Sequence, residues 1–441
     1  MQSLPLSAKI QMTKRRIKGW IDEYGEDGVY ISFSGGKDST VLLDIARQEY
    51  PNLKAMFVDV PTQYPELKEF VMQFENVDIV KPKMNFIQVC EKYGFPIISK
   101  EVSECVEGAR KYAKKILDEI NSENKILTDR QTDRQTDRQT DRQTDRQYPY
   151  KYYYEKVTGT GKYSKFLETP RIDEQAMLEN SRGGTITSGE NYEELANILN
   201  YRMKNRIGGN NLRLAIMLGI LTKDKENPIK ANIPDSDKSQ FSQERYNFFL
   251  DAPFEISNKC CNVMKKNPAH TYARQTNRKA ITAQMASESR LRTQKWLENG
   301  CNGLHLKNPT SNPMSFWTEQ DILLYIKLHN LPICSVYGDI VVDYKAEDNV
   351  EGQMNLSELS EDLGIFDVGN RPLKTTGCSR TGCVLCGFGC HLDKEGEERF
   401  LMLRETHPKF HNLLNIAKNN GITYAEAIDW INEHGNMNIK Y

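Results

Sequence analysis

No stretch of this 441-residue chain approaches the ~18–20 consecutive apolar residues that a membrane-spanning helix needs. An excess of one charge is missing too: 59 basic residues meet 60 acidic ones, for a formal net charge of −1. That balance excludes a globally basic nucleic-acid binder and leaves only a local basic patch open. The first twenty residues have no apolar run and carry Lys9, Lys14, Arg15, Arg16 and Lys18, so no secretory leader is expected and the chain reads as cytoplasmic. A disulfide framework is excluded as well, because ten cysteines are few for this length and unevenly placed. Cys378, Cys383, Cys386 and Cys390 fall within thirteen residues, and Cys260 and Cys261 are adjacent, a clustering that suits metal ligation or redox chemistry. What is present is 38% hydrophobic and 27% charged residues, enough apolar material for a sizeable core, with a length that predicts two to three domains or one with large insertions.

Periodicity predicts an α/β fold. Ile10, Ile17, Trp20 and Ile21 mark a first helix that ends near Gly25 and Gly28. The apolar runs Val29–Phe33, Ala55–Val60 and Val77–Val80 read as buried strands, and Val41–Ala46 and Leu67–Phe74 as the helices between them. Strands alternating with helices at this spacing imply a doubly wound, mainly parallel sheet. Thr128–Gln147 is five copies of Thr-Asp-Arg-Gln with no apolar residue, a solvated linker or a frayed charged helix. Next, Tyr148, Tyr150, Tyr152, Tyr153 and Tyr154 interleave with Lys151 and Lys156, either an ordinary packed edge or an arrangement that stacks nucleic-acid bases. Glu193–Leu221 has helical periodicity broken at Gly208-Gly209. The expected organisation is a nucleotide-binding half over 1–120, an insertion over 121–250 containing the repeat, a Cys-rich remainder over 251–395 and a helical tail over 396–441.

Most information sits in Ser34-Gly-Gly-Lys-Asp-Ser-Thr40, between a strand and a helix. Gly35 and Gly36 permit a tight turn that brings backbone N–H groups near an anion, and the following helix aims its positive end at the same point. Ser34, Ser39 and Thr40 add hydroxyls, Lys37 a positive charge for phosphate oxygens, and Asp38 a carboxylate able to hold a metal ion such as Mg2+ carried by a nucleotide. The first glycine and the lysine are too close together for a Walker loop.

This loop resembles the PP-loop of the adenine nucleotide α-hydrolase superfamily, which includes ATP pyrophosphatases and the phosphoadenosine phosphosulfate (PAPS) reductase family. Two further stretches resemble that reductase family: Val58-Asp-Val-Pro-Thr-Gln-Tyr-Pro-Glu66, and Trp317-Thr-Glu-Gln-Asp-Ile322, whose Thr318–Asp321 also reads as a helix cap. Glu288-Ser289 with Arg290 and Arg292 is similar to the family's basic substrate-contact segment. The resemblance covers about residues 20–120 and 245–395. It implies a Rossmann-like PP-loop fold, ATP or a related adenine nucleotide as ligand, Lys37 and Asp38 as catalytic residues, Asp59 for ribose or metal, and Arg290 in the nucleotide site.

Cys260, Cys261, Cys383 and Cys386 together resemble the Cys-Cys…Cys-x-x-Cys set of family members that hold a 4Fe–4S cluster. A closed zinc site from Cys378, Cys383, Cys386 and Cys390 is the rival, its C-x4-C-x2-C-x3-C spacing workable for tetrahedral thiolates. The resemblance implies a C-terminal Glu-Cys-Gly-Leu-His nucleophile, but here Glu433-His434-Gly435 carries no thiol and no cysteine follows Cys390. The favoured expectation is therefore sulfur or nucleotidyl transfer, with a thiol or sulfur-donor protein as partner. The alternatives are a sulfonucleotide reductase using Cys390 or Cys378, and a nucleotide-sensing or nucleic-acid-associated protein of a mobile element or defence system with little turnover.

Overall fold

Val29, Tyr30 and Ile31 are all buried, which a strand achieves only when both faces of its sheet are covered. The computed structural model, which describes residues 1–132, 186–187, 189–204, 214–215, 217–218, 244–343 and 372–441, places them at the centre of such a sheet. The Tyr–Lys stretch at 148–156, Gly208-Gly209 and all but the first copy of the Thr-Asp-Arg-Gln repeat lie outside the described residues. The chain divides into two units, Met1–Val89 with Cys260–Cys386, and Cys90–Lys259 with Gly387–Tyr441.

The first unit holds a six-stranded sheet. Its strands are β1 (Val29–Ser32), β2 (Ala55–Val58), β3 (Val77–Val80), β5 (Lys279–Ile281), β6 (Asn302–Gly303) and β7 (Thr310–Ser311), in the order β3-β2-β1-β5-β7-β6. All neighbours run parallel except the β6–β7 edge pair. The mainly parallel α/β fold predicted from periodicity is the one observed. From β1 the chain steps outward to β2 and β3, then returns on the other side of β1 at β5, with Ile31 in register with both Ala55 and Ile281. The order therefore reverses between β1 and β5, and the loops leaving their carboxyl ends diverge to open a crevice.

Helices α1 (Leu6–Tyr24) and α2 (Lys37–Arg47) cover the sheet with Ile17, Trp20, Val41, Leu42 and Ile45, and share their core with Trp317 and Tyr325. Thr318 caps the helix Glu319–Leu328 as expected: its hydroxyl accepts from Asp321 N–H, while Asp321 accepts from the Thr318 N–H at 2.6 Å. Asp321 has a second task. Lys9 is 2% exposed in the first turn of α1, and both carboxylate oxygens of Asp321 accept from its ammonium, at 2.7 and 2.8 Å. Trp317 Nε1 donates to Thr13 Oγ1 one turn further along α1.

The second unit is built on the helix Lys100–Thr132, which takes in the first copy of the repeat and buries Val102, Val106, Ala109, Ala113 and Ile116 at helical spacing. Phe95 stacks on Tyr424 at 4.8 Å and meets Phe254 at 5.8 Å, and strand β4 (Ile97–Ile98) pairs in parallel with the short strand Gly387–Phe388. Among the described residues no helix is long and apolar enough to cross a membrane.

Removing one partner of a buried ion pair strands the other charge, at a cost of about 3–5 kcal/mol, whereas an apolar isostere of the buried member avoids most of that penalty. Asp321→Ala, which leaves Lys9 buried and removes a cap as well, is expected to destabilise far more than Lys9→Met in urea unfolding. Equal losses would refute this account of the pair.

Candidate functional site

Gly35 adopts φ +72°, a conformation open to glycine, and a Cβ there would lie 2.9 Å from Val71 Cγ2. That turn ends β1 and starts α2 within four residues. Ser39 Oγ organises it, accepting from Ser34 N–H at 3.1 Å, bonding Ser34 Oγ at 3.0 Å and donating to Gly36 O at 2.9 Å. Thr40 Oγ1 donates to the same carbonyl at 3.0 Å. Ser34, Gly35, Gly36, Ser39 and Thr40 thus form one tight loop at the first turn of a helix, where backbone N–H groups collect at the positive end of its dipole.

Lys37, 2% exposed, is the first residue of α2. Its ammonium donates to Ser379 O at 2.9 Å, lies 3.1 Å from Glu319 and 3.6 Å from Asp38, and sits over the Tyr337 ring. Its backbone N–H donates to the Tyr337 hydroxyl at 3.1 Å, and that hydroxyl is 2.8 Å from Thr381 Oγ1. Burial raises the Tyr337 phenol, opposed by its hydrogen bonds to Thr381 and Lys37. Burial also pushes the Asp38 carboxyl above its ordinary value, against the pull of Lys37 and Arg380 and with Glu319 adding to the rise. Asp38 Oδ1 is buried without a hydrogen-bond partner.

Arg292 comes from the helix Arg290–Asn299, beyond the carboxyl end of β5. Burial lowers its guanidinium, Arg380 lowers it further, and Asp38 opposes both. Glu288 pairs with Arg292 and lies 3.8 Å from Arg380. The crevice at the strand-order reversal therefore gathers Lys37, Arg292 and Arg380 with Asp38, Glu288 and Glu319, an arrangement suited to an anion accompanied by a cation.

Of the other expected site residues, Asp59 stands at the end of β2, where its carboxylate accepts from Lys68 at 2.8 Å. Arg290 is exposed at the first position of its helix. Arg380, Tyr337 and Thr381 escaped the sequence reading, and Glu319 entered it only within the Trp317–Ile322 stretch, without a role in the site. An arginine inside a Gly- and Cys-rich loop was the one available signal, since the others lie about 280–340 residues from Lys37.

No disulfide joins any of the ten cysteines. Lys259–Cys261 opens a helical run that widens into a π turn over Asn262–Lys266, a feature frequent at functional sites. Burial lowers the Lys265 ammonium, but Cys383, Cys261 and Cys386 outweigh it and the net shift is upward. Three of the four residues expected to hold a cluster, Cys261, Cys383 and Cys386, thus act on one cation. Cys260 Sγ lies 3.6 Å from Met264 Sδ. Of the rival zinc set, Cys378 Sγ bonds the Tyr64 hydroxyl at 3.4 Å, and Cys390 is buried within the second unit. Among the described residues no group of three or more His, Cys, Asp or Glu side chains is placed to hold a metal ion. The chemistry of the Cys261, Cys383 and Cys386 donors fits a thiolate-bound group. His434 stacks on Trp430 at 4.1 Å and hydrogen bonds Trp430 O, a helix-end role.

Residues 28–150 and 219–387, more than half of the chain, match the family model for the phosphoadenosine phosphosulfate reductase domain. No curated protein matches the chain.

With its carboxyl shifted upward, folded Asp38 keeps its proton to higher pH than the unfolded chain does. Its contribution to stability is therefore fully present below the ordinary value of 3.8 and is lost as pH rises through the shifted one. Asp38→Asn is expected to raise the melting temperature of nucleotide-free protein at pH 7, with the gain shrinking towards pH 4. A variant less stable than wild type at pH 7 would contradict this assignment.

Proposed function

The chain belongs to the phosphoadenosine phosphosulfate reductase domain family, and from that membership we propose that it binds ATP or a related adenine nucleotide at Ser34–Thr40 for sulfur or nucleotidyl transfer. The observation that carries this reading is the buried ammonium of Lys37 beside a glycine turn and helix N-terminus, at the point where the strand order reverses. Ser34, Gly35, Gly36, Ser39 and Thr40 would hold phosphate oxygens. Lys37 would stabilise charge developing on a departing pyrophosphate or phosphosulfate. Asp38, with an oxygen free of hydrogen bonds, would hold Mg2+, and Asp59 would position ribose or metal.

Cys260, Cys261, Cys383 and Cys386 would hold a 4Fe–4S cluster, which when bound supplies redox capacity for sulfur chemistry. Lys265, within electrostatic reach of Cys261, Cys383 and Cys386, would offset the negative charge of that cluster. One observation supports a second reading, sulfonucleotide reduction: Cys378 directly precedes Ser379, whose carbonyl accepts from Lys37. Its thiolate would attack the sulfonate sulfur and expel the adenosine phosphate. A second thiol would then release sulfite and leave a disulfide. Sulfite released from a sulfonucleotide with a thiol donor would identify that activity, and pyrophosphate released from ATP would identify transfer.

Loss of a charge-assisted contact to phosphate costs about 1.5–3 kcal/mol. Lys37→Ala should therefore weaken ATP binding by roughly tenfold or more in titration calorimetry, and wild-type affinity in that variant would refute the site.

Protein purified without oxygen should be brown, with about four irons and four sulfides per chain, if the Cys-Cys and Cys-x-x-Cys set holds a cluster. A colourless protein with one zinc would overturn that assignment.

A further inference from the structure

The loop from Cys378 to Cys383 enters the nucleotide site twice. The Ser379 carbonyl accepts from Lys37 Nζ at 2.9 Å. Two residues later, Thr381 Oγ1 is 2.8 Å from the Tyr337 hydroxyl, which itself accepts from the Lys37 backbone N–H. A Cβ placed on Gly36 would lie 3.2 Å from both Thr381 Oγ1 and the Tyr337 hydroxyl, so this loop rests directly on the glycine turn. Arg380 stands between the two anchored residues, and its position at the rim of the site is set by theirs.

The Arg380 side chain is 62% exposed. Its Nη2 is 3.8 Å from Glu288, within attraction but beyond hydrogen-bond distance. Glu288 already pairs with Arg292. Two guanidiniums therefore share one carboxylate, and each is close enough to Asp38 to act on it electrostatically. A second anion between them would relieve their mutual repulsion. The planar fork of an arginine matches the three oxygens of a terminal phosphate or sulfonate.

We propose that Arg380 is a specificity-determining residue of the nucleotide site, gripping the far anionic group of an adenine nucleotide and so favouring a triphosphate or phosphosulfate over a monophosphate. This rests on the reading in which Ser34–Thr40 holds the phosphates. There the loop N–H groups and Lys37 take the oxygens nearest the helix, and Arg380, long and anchored at the rim, reaches the end of the chain of anionic groups. Being largely exposed, the side chain can be removed without opening the core.

Titration calorimetry with ATP, AMP and adenosine 5′-phosphosulfate, on wild type, Arg380→Ala and Arg380→Lys, tests this, with melting curves to verify folding. Arg380→Ala should lose about 10- to 100-fold in affinity for ATP or the phosphosulfate, while AMP affinity changes less than about threefold. Arg380→Lys, which keeps the charge without the fork, should fall between. Whichever of ATP and phosphosulfate suffers more identifies the terminal group. If Arg380→Ala keeps the wild-type ratio of affinities, or loses AMP as much as the longer ligands, this inference is overturned while nucleotide binding stands. Wild-type protein that binds none of the three overturns the nucleotide reading and this inference together.

Discussion

A buried ammonium constrains the candidate site more than any other group. Lys37 cannot lie 2% exposed and charged without partners, because an unpaired cation in the interior costs several kcal/mol. The partners come from Asp38 beside it, Glu319 at a helix start and the Ser379 carbonyl, while Tyr337 lies under the ammonium. Each holds a different segment against the end of β1. Satisfying one lysine thus draws together the glycine turn, the capped helix Glu319–Leu328 and the Cys-rich loop.

Topology makes that convergence available. β1 and β5 are neighbours although some 250 residues separate them, and the loops leaving their carboxyl ends part at that point. The loop after β1 contributes Lys37 and Asp38, and the chain after β5 contributes Glu288 and Arg292. Three cations and three carboxylates meet there, a near-neutral balance that explains how so many charges occupy one crevice. Asp38 bears the cost of the arrangement through an upward-shifted carboxyl.

A second cation organises the thiols. Lys265, at the end of a π turn, takes a raised affinity for its proton from Cys383, Cys261 and Cys386. The same chain segment, Cys378 to Cys386, therefore meets Lys37 through Ser379 near one end and Lys265 through its cysteines at the other. The two lysines are thus linked by fewer than ten residues of backbone.

Features encoded within a few neighbouring residues were legible in the sequence. The strand Val77–Val80 is observed with the bounds its apolar run predicts, Thr318–Asp321 forms the cap that its residue types imply, and Gly35 takes the positive φ that a tight turn requires. Strand–turn–helix alternation likewise carried the parallel α/β fold, because side-chain period and turn chemistry are local properties. Element ends were less legible. The second strand stops at Val58 and not Val60, and α2 begins at Lys37, four residues before its apolar stripe, because its first turn buries the polar Lys37, Ser39 and Thr40, which carry no hydrophobic signal. The tertiary structure alone decided that Glu319, Tyr337, Ser379 and Thr381 surround Lys37, that Arg380 stands at the rim, and that Cys261 shares Lys265 with Cys383 and Cys386. Those pairings cross about 120–340 residues, and no local pattern specifies which distant segments a buried charge will bring together. Their placement follows from strand order and from the requirement that every buried ion find its partners.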